Sequence, residues 1–192
     1  MARSKNRKRV RYSKSVVERS ELEILREYIE RKLNAPWNKI VKEPLLKYCY
    51  NGICFIVSSS ENVRKADLMK EFNVVFGGEV IGIVHRGYVI PSLNVYERVF
   101  HETGEFRAAI IANEEGVKNF LYGNNLYASS IIEYYEPIDN IVAIIDNVDM
   151  KAIGVAKPIV HGRRLREYIQ RKLERPVYEN IFDLGLFLRG FY

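Results

Sequence analysis

The chain has 192 residues, enough for one large domain or two small ones, each with a core of its own. Hydrophobic residues make up 47% and charged residues 28%, which excludes wholesale disorder, and no run of ~18 apolar residues exists to form a membrane-spanning helix. Net charge is +6, yet residues 1–14 alone hold seven cations and no acid, so the rest of the chain sums to −1. With no apolar run behind Met1-Ala2-Arg3-Ser4-Lys5, a signal peptide is not expected. The expectation is a soluble intracellular protein without a membrane partner, cytoplasmic, or nucleolar in a eukaryote. A single Gln against nineteen Glu suits a thermophilic source.

In chain order, residues 1–19 read as a basic tail carrying Arg3, Lys5, Arg7, Lys8, Arg9, Arg11 and Lys14. Such a segment cannot bury enough apolar surface to fold alone. It suits contact with a phosphate backbone, through Arg7, Lys8 and Arg9 in particular, a solvated end being the plainer alternative. Ser20 with Glu23 predicts a capping box, and Leu22, Leu25, Ile29 and Leu33 recur at helical spacing until Asn34-Ala35-Pro36.

Asn51-Gly52 between apolar runs is a strong hairpin signal because both turn positions need positive φ. Tyr50 then pairs with Ile53, and Cys49 falls opposite Cys54. A disulfide between Cys49 and Cys54 is geometrically possible, whereas free thiols are favoured in a reducing cytoplasm, thermophile interiors being the exception. His85, His101 and His161 stand singly, so neither a metal site nor a cofactor is expected.

Ser58 and Glu61 predict a second capping box opening a helix that buries Val63, Ala66, Met69 and Phe72. Gly77-Gly78 lies between the strand-like runs Phe72–Phe76 and Ile81–Val84 with no helix following, which fits a hairpin better than a phosphate cradle. Two more strands meet near Arg86-Gly87. The polar stretch His101-Glu102-Thr103-Gly104-Glu105 breaks the apolar rhythm, placing a domain boundary between 103 and 104.

The second half begins with a strand at Arg107–Ala112 and a helix at Glu114–Tyr122 stopped by Gly123-Asn124-Asn125. Leu126–Ile132, Asn140–Asp146 and Ala152–Val160 read as strands, the last two joined by Asn147-Val148-Asp149-Met150. A basic helix, Arg164–Leu173, follows, and Asn180–Gly185 with Leu186–Arg189 closes the chain. The predicted class is α+β in two domains, 20–103 and 104–192, the second a small mixed barrel. No nucleophile elbow, Walker loop, His-Glu-x-x-His or Gly-x-Gly-x-x-Gly occurs, so catalysis is not expected.

Asn119-Phe120-Leu121-Tyr122-Gly123-Asn124-Asn125, after the Ile110-Ile111 strand, resembles the Phe-Leu-Tyr-Gly-Asn signature that opens the PUA domain of a large-ribosomal-subunit assembly factor family, the archaeal and eukaryotic nuclear import protein seven. The likeness continues through Ile153-Gly154-Val155-Ala156 to Asp183-Leu184-Gly185 and Leu188-Arg189, and upstream Tyr88–Leu93 looks like that family's last pre-PUA strand. It implies a mixed α/β pre-PUA domain, a C-terminal PUA pseudo-barrel and no catalytic activity. It further implies binding to U- or AU-rich single-stranded RNA, a role in pre-rRNA maturation, and ribosome-assembly or RNA-processing proteins as partners. The chain departs at Tyr127-Ala128-Ser129-Ser130, where relatives usually carry a Lys-Ser-Gly-like segment.

Leu25–Leu33 and Leu165–Leu173 agree at eight of nine positions without matching flanks. Their shared apolar face points to the core in both. The second copy adds Arg164, Arg171 and Arg175, which fall within about 40° of each other on a helix. From Lys157 to Arg175, the cations Lys157, Arg163, Arg164, Arg166, Arg171, Lys172 and Arg175 face only Glu167 and Glu174. This is the predicted RNA surface, with Lys118 as a further phosphate contact. The plainer reading is a solvated face with pairs such as Arg163 with Glu167. Tyr127, Tyr134 and Tyr135 offer stacking surfaces, one of the last two facing solvent, while Tyr122 is expected to be buried. A protein-docking scaffold and an accessory subunit for RNA modification are the competing functions.

Overall fold

Two antiparallel-rich sheets organise the computed structural model, which describes residues 12–50, 52–59 and 77–189. The first sheet is a five-stranded meander: β1 (Tyr12–Val16), β2 (Leu45–Tyr50), β3 (Ile53–Ser58), β4 (Glu79–His85) and β5 (Tyr88–Pro91) in that spatial order. α1 (Arg19–Glu27) lies on it, and Gly82 permits the approach, since a Cβ there would stand 3.0 Å from Leu25 Cδ2. Among the described residues, the short α2 (Trp37–Ile40) and the longer α3 (Leu93–Thr103) also belong to this half.

The second sheet has the order β7-β11-β10-β9-β6-β8, built from β6 (Ala109–Ala112), β7 (Leu126–Tyr127), β8 (Ile131–Tyr135), β9 (Val142–Asp146), β10 (Ala152–Pro158) and β11 (Pro176–Asp183). β6 and β9 are parallel and the other pairs antiparallel. Around it lie α4 (Glu114–Leu121), α5 (Gly162–Gln170) and α6 (Gly185–Arg189). This is the α+β arrangement expected. Buried side chains of the two sheets form one continuous cluster. Polar contacts add to it: Tyr28 donates its hydroxyl proton to the Ile141 carbonyl, Tyr96 donates to Tyr28 at 3.1 Å, and Lys151 meets Glu97 at 3.7 Å.

Several local expectations are corrected. Residues 12–19 do not belong to a tail. β1 pairs with β2 from Tyr12↔Tyr50 to Val16↔Leu46, and Lys14 sits 5.6 Å from the Tyr48 ring centroid, so a segment unable to fold alone is ordered by a neighbouring strand edge. Arg7, Lys8 and Arg9 lie outside the described residues, as do Val63, Ala66, Met69 and Phe72. The first helix starts two residues earlier than predicted, with Glu18 as its cap and the Glu21 carboxylate accepting from the Glu18 N–H at 3.1 Å. Glu21 also meets the Lys47 ammonium in a buried pair, an interaction across 26 residues that no local pattern announces.

Cys49 and Cys54 face each other as predicted, but they form a disulfide rather than free thiols. They occupy a non-hydrogen-bonded position next to the turn, where facing Cβ atoms are close. The α3 helix was missed. Its signals were Leu93, Val95, Tyr96 and Val99 at helical spacing and Gly104 closing the helix at φ 75.

The predicted strand Leu126–Ile132 is broken. Residues Ala128–Ser130 form a 3₁₀ turn whose N–H groups at Ala128 and Ser129 donate to the carbonyls of Arg175 and Leu173, at 3.0 and 3.1 Å. The basic helix ends at Gln170, because Lys172 takes a left-handed φ of 50. Arg171 is therefore the helix cap, and Arg175 lies in the following turn, off the helical wheel on which it had been placed.

Gly154 in β10 is a point of close approach within the second core: a Cβ would stand 2.5 Å from the Phe120 ring and 2.6 Å from the Phe182 carbonyl oxygen. Gly154→Ala should cost about 1–3 kcal/mol or more, whereas Gly87→Ala, at a turn with open space around it, should cost only the positive-φ strain. Chemical denaturation of both variants would show the Gly154 change to be the larger.

Candidate nucleic-acid interface

The cations between Lys157 and Arg175 divide into two groups. Arg166 is committed to protein partners: its guanidinium grips the Glu136 carboxylate at 2.7 and 3.0 Å, meets Asp139 at 2.8 Å and reaches the Gly162 carbonyl at 3.1 Å. Lys157 donates to the Tyr88 hydroxyl at 2.5 Å and pairs with Glu179 at 3.0 Å, which hold its ammonium charged further into the alkaline range than usual. Lys172 donates to the Ile131 carbonyl. Sequence reasoning had placed all three on the RNA surface. They are engaged within the fold instead: β8 and the loop after it carry the acceptors of Lys172 and Arg166, and β5 and β11 carry those of Lys157.

The second group stays in solvent. Arg163, Arg175 and Lys118 are exposed and make no side-chain hydrogen bond or ion pair among the described residues. Arg164 donates to the Tyr168 hydroxyl at 2.7 Å with its guanidinium 5.2 Å from that ring centroid, a contact that orients the group and leaves its charge uncompensated. Arg171 pairs with Glu167 at 3.3 Å, both side chains largely exposed, so the pair contributes little and gives way readily to a phosphate. The pairing expected between Arg163 and Glu167 is thus made by Arg171. Arg164 and Arg171 are two turns apart and share a face.

Next to these cations lies an open polar cleft of about 640 Å³. Its walls come from α4 and its cap (Asn113, Glu115, Asn119), the turn after α4 (Asn124, Asn125), the 3₁₀ turn (Ser129, Ser130) and the α5–β11 turn (Glu174, Pro176), with Tyr127 at the side. The backbone bonds from Ala128 and Ser129 to Arg175 and Leu173 bring the last two walls together. Tyr127 is 41% exposed and available for stacking, whereas Tyr134 and Tyr135 are both half-buried, Tyr135 tilted against Phe106 at 5.7 Å. Tyr122 is 65% exposed rather than buried: it caps α4 and follows the residue whose carbonyl is held down.

That carbonyl belongs to Leu121, which accepts from the Arg189 guanidinium, and Arg189 also meets the buried Asp183 at 2.8 Å. Asn180 donates to the Phe120 carbonyl at 2.8 Å, and its own N–H donates to Asn125 at 3.3 Å. Much of the motif around Phe120 and Gly123 therefore serves packing. Its exposed asparagines serve the cleft together with Glu115 and with Glu174, which charge counting had noted only as an acid among the cations. The capping role of Asn113, whose side chain accepts from Gly116 N–H at 2.8 Å, was the available signal for where the cleft begins.

The sequence pattern of the UPF0113 PUA domain matches residues 108–192, so a PUA domain is present. No curated protein matches the chain significantly. Among solved structures, it is similar to a hypothetical protein of the hyperthermophilic archaeon Pyrococcus horikoshii (TM-score 0.62, 10% identity, covering 89% of this chain and 94% of that one). A PUA domain protein of Aeropyrum pernix gives TM-score 0.58 at 12% identity, covering 92% and 88%. A conserved PUA domain protein of Thermoplasma acidophilum gives 0.60 at 16%, covering 94% and 100%. These likenesses concern fold.

Asp139 supports the start of α5, where its carboxylate accepts from the Gly162 N–H at 2.5 Å. Burial alone would raise its pKa, but the Gly162 N–H and the Arg166 guanidinium outweigh that and hold it below the ordinary Asp value. A group whose folded pKa is depressed stabilises the fold above its unfolded pKa, near 3.9, and loses that contribution as pH falls through the folded value. The melting-temperature gap between the wild type and Asp139→Asn should therefore be full at pH 6 and shrink below about pH 4. A constant gap over that range would contradict the assignment.

Proposed function

We propose that this protein is an RNA-binding factor in large-ribosomal-subunit assembly that acts by binding rather than by catalysis. PUA domains generally bind RNA, and the observation that carries the reading here is the exposed set Arg163, Arg164, Arg171 and Arg175 on the α5 side of the PUA domain, of which Arg171 alone has an ion-pair partner among the described residues, with Lys118 on α4. Guanidinium groups suit this role, since each can take a phosphate through two parallel hydrogen bonds and also stack on an exposed base. The assembly role is supported by the Asn119–Asn125 motif, which sits at the cleft beside these cations, and by its resemblance to the ribosome-assembly family.

Salt titration of binding to a single-stranded RNA tests the phosphate contacts. Each contact adds about 0.7 to the log–log slope for a single strand, so Arg164→Ala with Arg171→Ala should lower the slope by roughly 1.4 and weaken binding. Arg166→Ala should leave the slope unchanged and lower the melting temperature, because its charge is spent on Glu136 and Asp139. An unaltered slope in the double variant would reject this surface. Crosslinking in cells should recover large-subunit rRNA precursors, and recovery of tRNA alone would favour an accessory role in RNA modification.

A further inference from the structure

The cleft beside Tyr127 carries a chemistry different from that of the arginine surface. Two carboxylates, Glu115 and Glu174, stand among its amides and hydroxyls, and no Lys or Arg lines it. The start of α4, which could otherwise attract an anion, is closed to one: Asn113 already accepts the Gly116 N–H at 2.8 Å, and Glu114 and Glu115 occupy the first turn. A phosphate entering here would meet like charge. A neutral ligand that donates hydrogen bonds would meet acceptors.

The volume of about 640 Å³ lies within the range of small-ligand sites. Tyr127, 41% exposed at its side, offers a flat aromatic face for a base. Asn125 spends its carbonyl oxygen on the Asn180 N–H and keeps its amide donors for a ligand acceptor. Lys118 and Arg175 are exposed and adjacent in sequence to the lining residues Asn119 and Glu174, so positive charge for flanking phosphates lies near the cleft.

We propose that this cleft takes one nucleobase bearing an exocyclic amino group, guanine above all, from the bound strand, with Glu115 and Glu174 accepting its N–H groups and Tyr127 stacking on its face. Guanine presents N1–H and N2–H side by side, a fork that one carboxylate accepts through both oxygens. Cytosine and adenine present only the amino group. Uracil offers a single N–H between two carbonyl oxygens, which a carboxylate repels. The arginine surface then supplies affinity and the cleft supplies base choice, the division seen when phosphate contacts position a strand and base edges specify it. The inference rests on the RNA-binding reading above.

The test uses the full chain and labelled ten-nucleotide RNAs: an all-uridine strand and the same strand with one central guanosine, cytidine or adenosine, compared by fluorescence anisotropy at fixed salt. One guanosine should tighten binding about fivefold or more, with cytidine and adenosine in between. Glu115→Gln with Glu174→Gln should bring that ratio close to one while binding of the all-uridine strand is kept or strengthened. Equal affinity for all four strands, or a guanosine preference surviving in the double variant, would overturn the proposal and leave the RNA-binding reading standing. Failure of every strand to bind would remove both. Both glutamates are exposed, and a melting curve of each variant confirms that the fold is retained.

Discussion

The seat of α4 against the second sheet governs how the PUA domain is put together. Phe120 is fully buried and rests where Gly154 has no side chain. At the end of the same helix, the Leu121 carbonyl is taken by Arg189, and a Cβ on Gly185 would collide with that carbonyl oxygen. Because interiors are close-packed, a helix held this tightly has one position only. That position fixes the cleft wall at its start and the Gly123–Asn125 turn at its end. Recognition chemistry is built on what the packing leaves facing outward.

Charge is sorted by the same logic. A count of cations between Lys157 and Arg175 suggests a uniform basic strip, but in three dimensions the strip separates into structural and available charges. Arg166 lies on the α5 face turned toward Glu136 and Asp139, and it is used there for two carboxylates at once. Arg163 and Arg164 make no ion pair with those acids and remain in solvent. The acids of the cleft, Glu115 and Glu174, sit beside this available charge without neutralising it through any ion pair among the described residues. A neighbouring positive surface and acceptor-lined cleft are complementary to a polymer with charged linkers and neutral, donor-bearing bases.

The repeated segment shows how far a local pattern reaches. Leu25–Leu33 and Leu165–Leu173 are nearly identical, and both begin as helices that bury Leu25 and Leu165 completely. The first runs on through a widened turn, Tyr28–Lys32, in which Leu33 N–H donates to the Tyr28 carbonyl, and becomes left-handed only at Asn34. The second stops at Gln170 and becomes left-handed at Lys172. The neighbours differ: Tyr28 is anchored to the Ile141 carbonyl and Tyr96, whereas Lys172 reaches the Ile131 carbonyl. Where a helix ends is a tertiary decision when capping preferences are this evenly balanced.

Period and turn chemistry act over a few residues, so the hairpin register that sets Tyr50 opposite Ile53, the Arg86-Gly87 and Asn147–Met150 turns, the apolar helix faces and the PUA motif are legible in the local pattern of residues. Interactions that depend on partners far along the chain emerge only when those partners meet in the folded molecule. These are the ordering of residues 12–16 on β2, the break at Ala128–Ser130 imposed by Leu173 and Arg175, the buried Lys47–Glu21 pair, and the division of the cations. The cleft belongs with them. Its lining residues come from four segments between positions 113 and 176, and no window of local sequence contains the geometry that brings their amides, hydroxyls and carboxylates to one place.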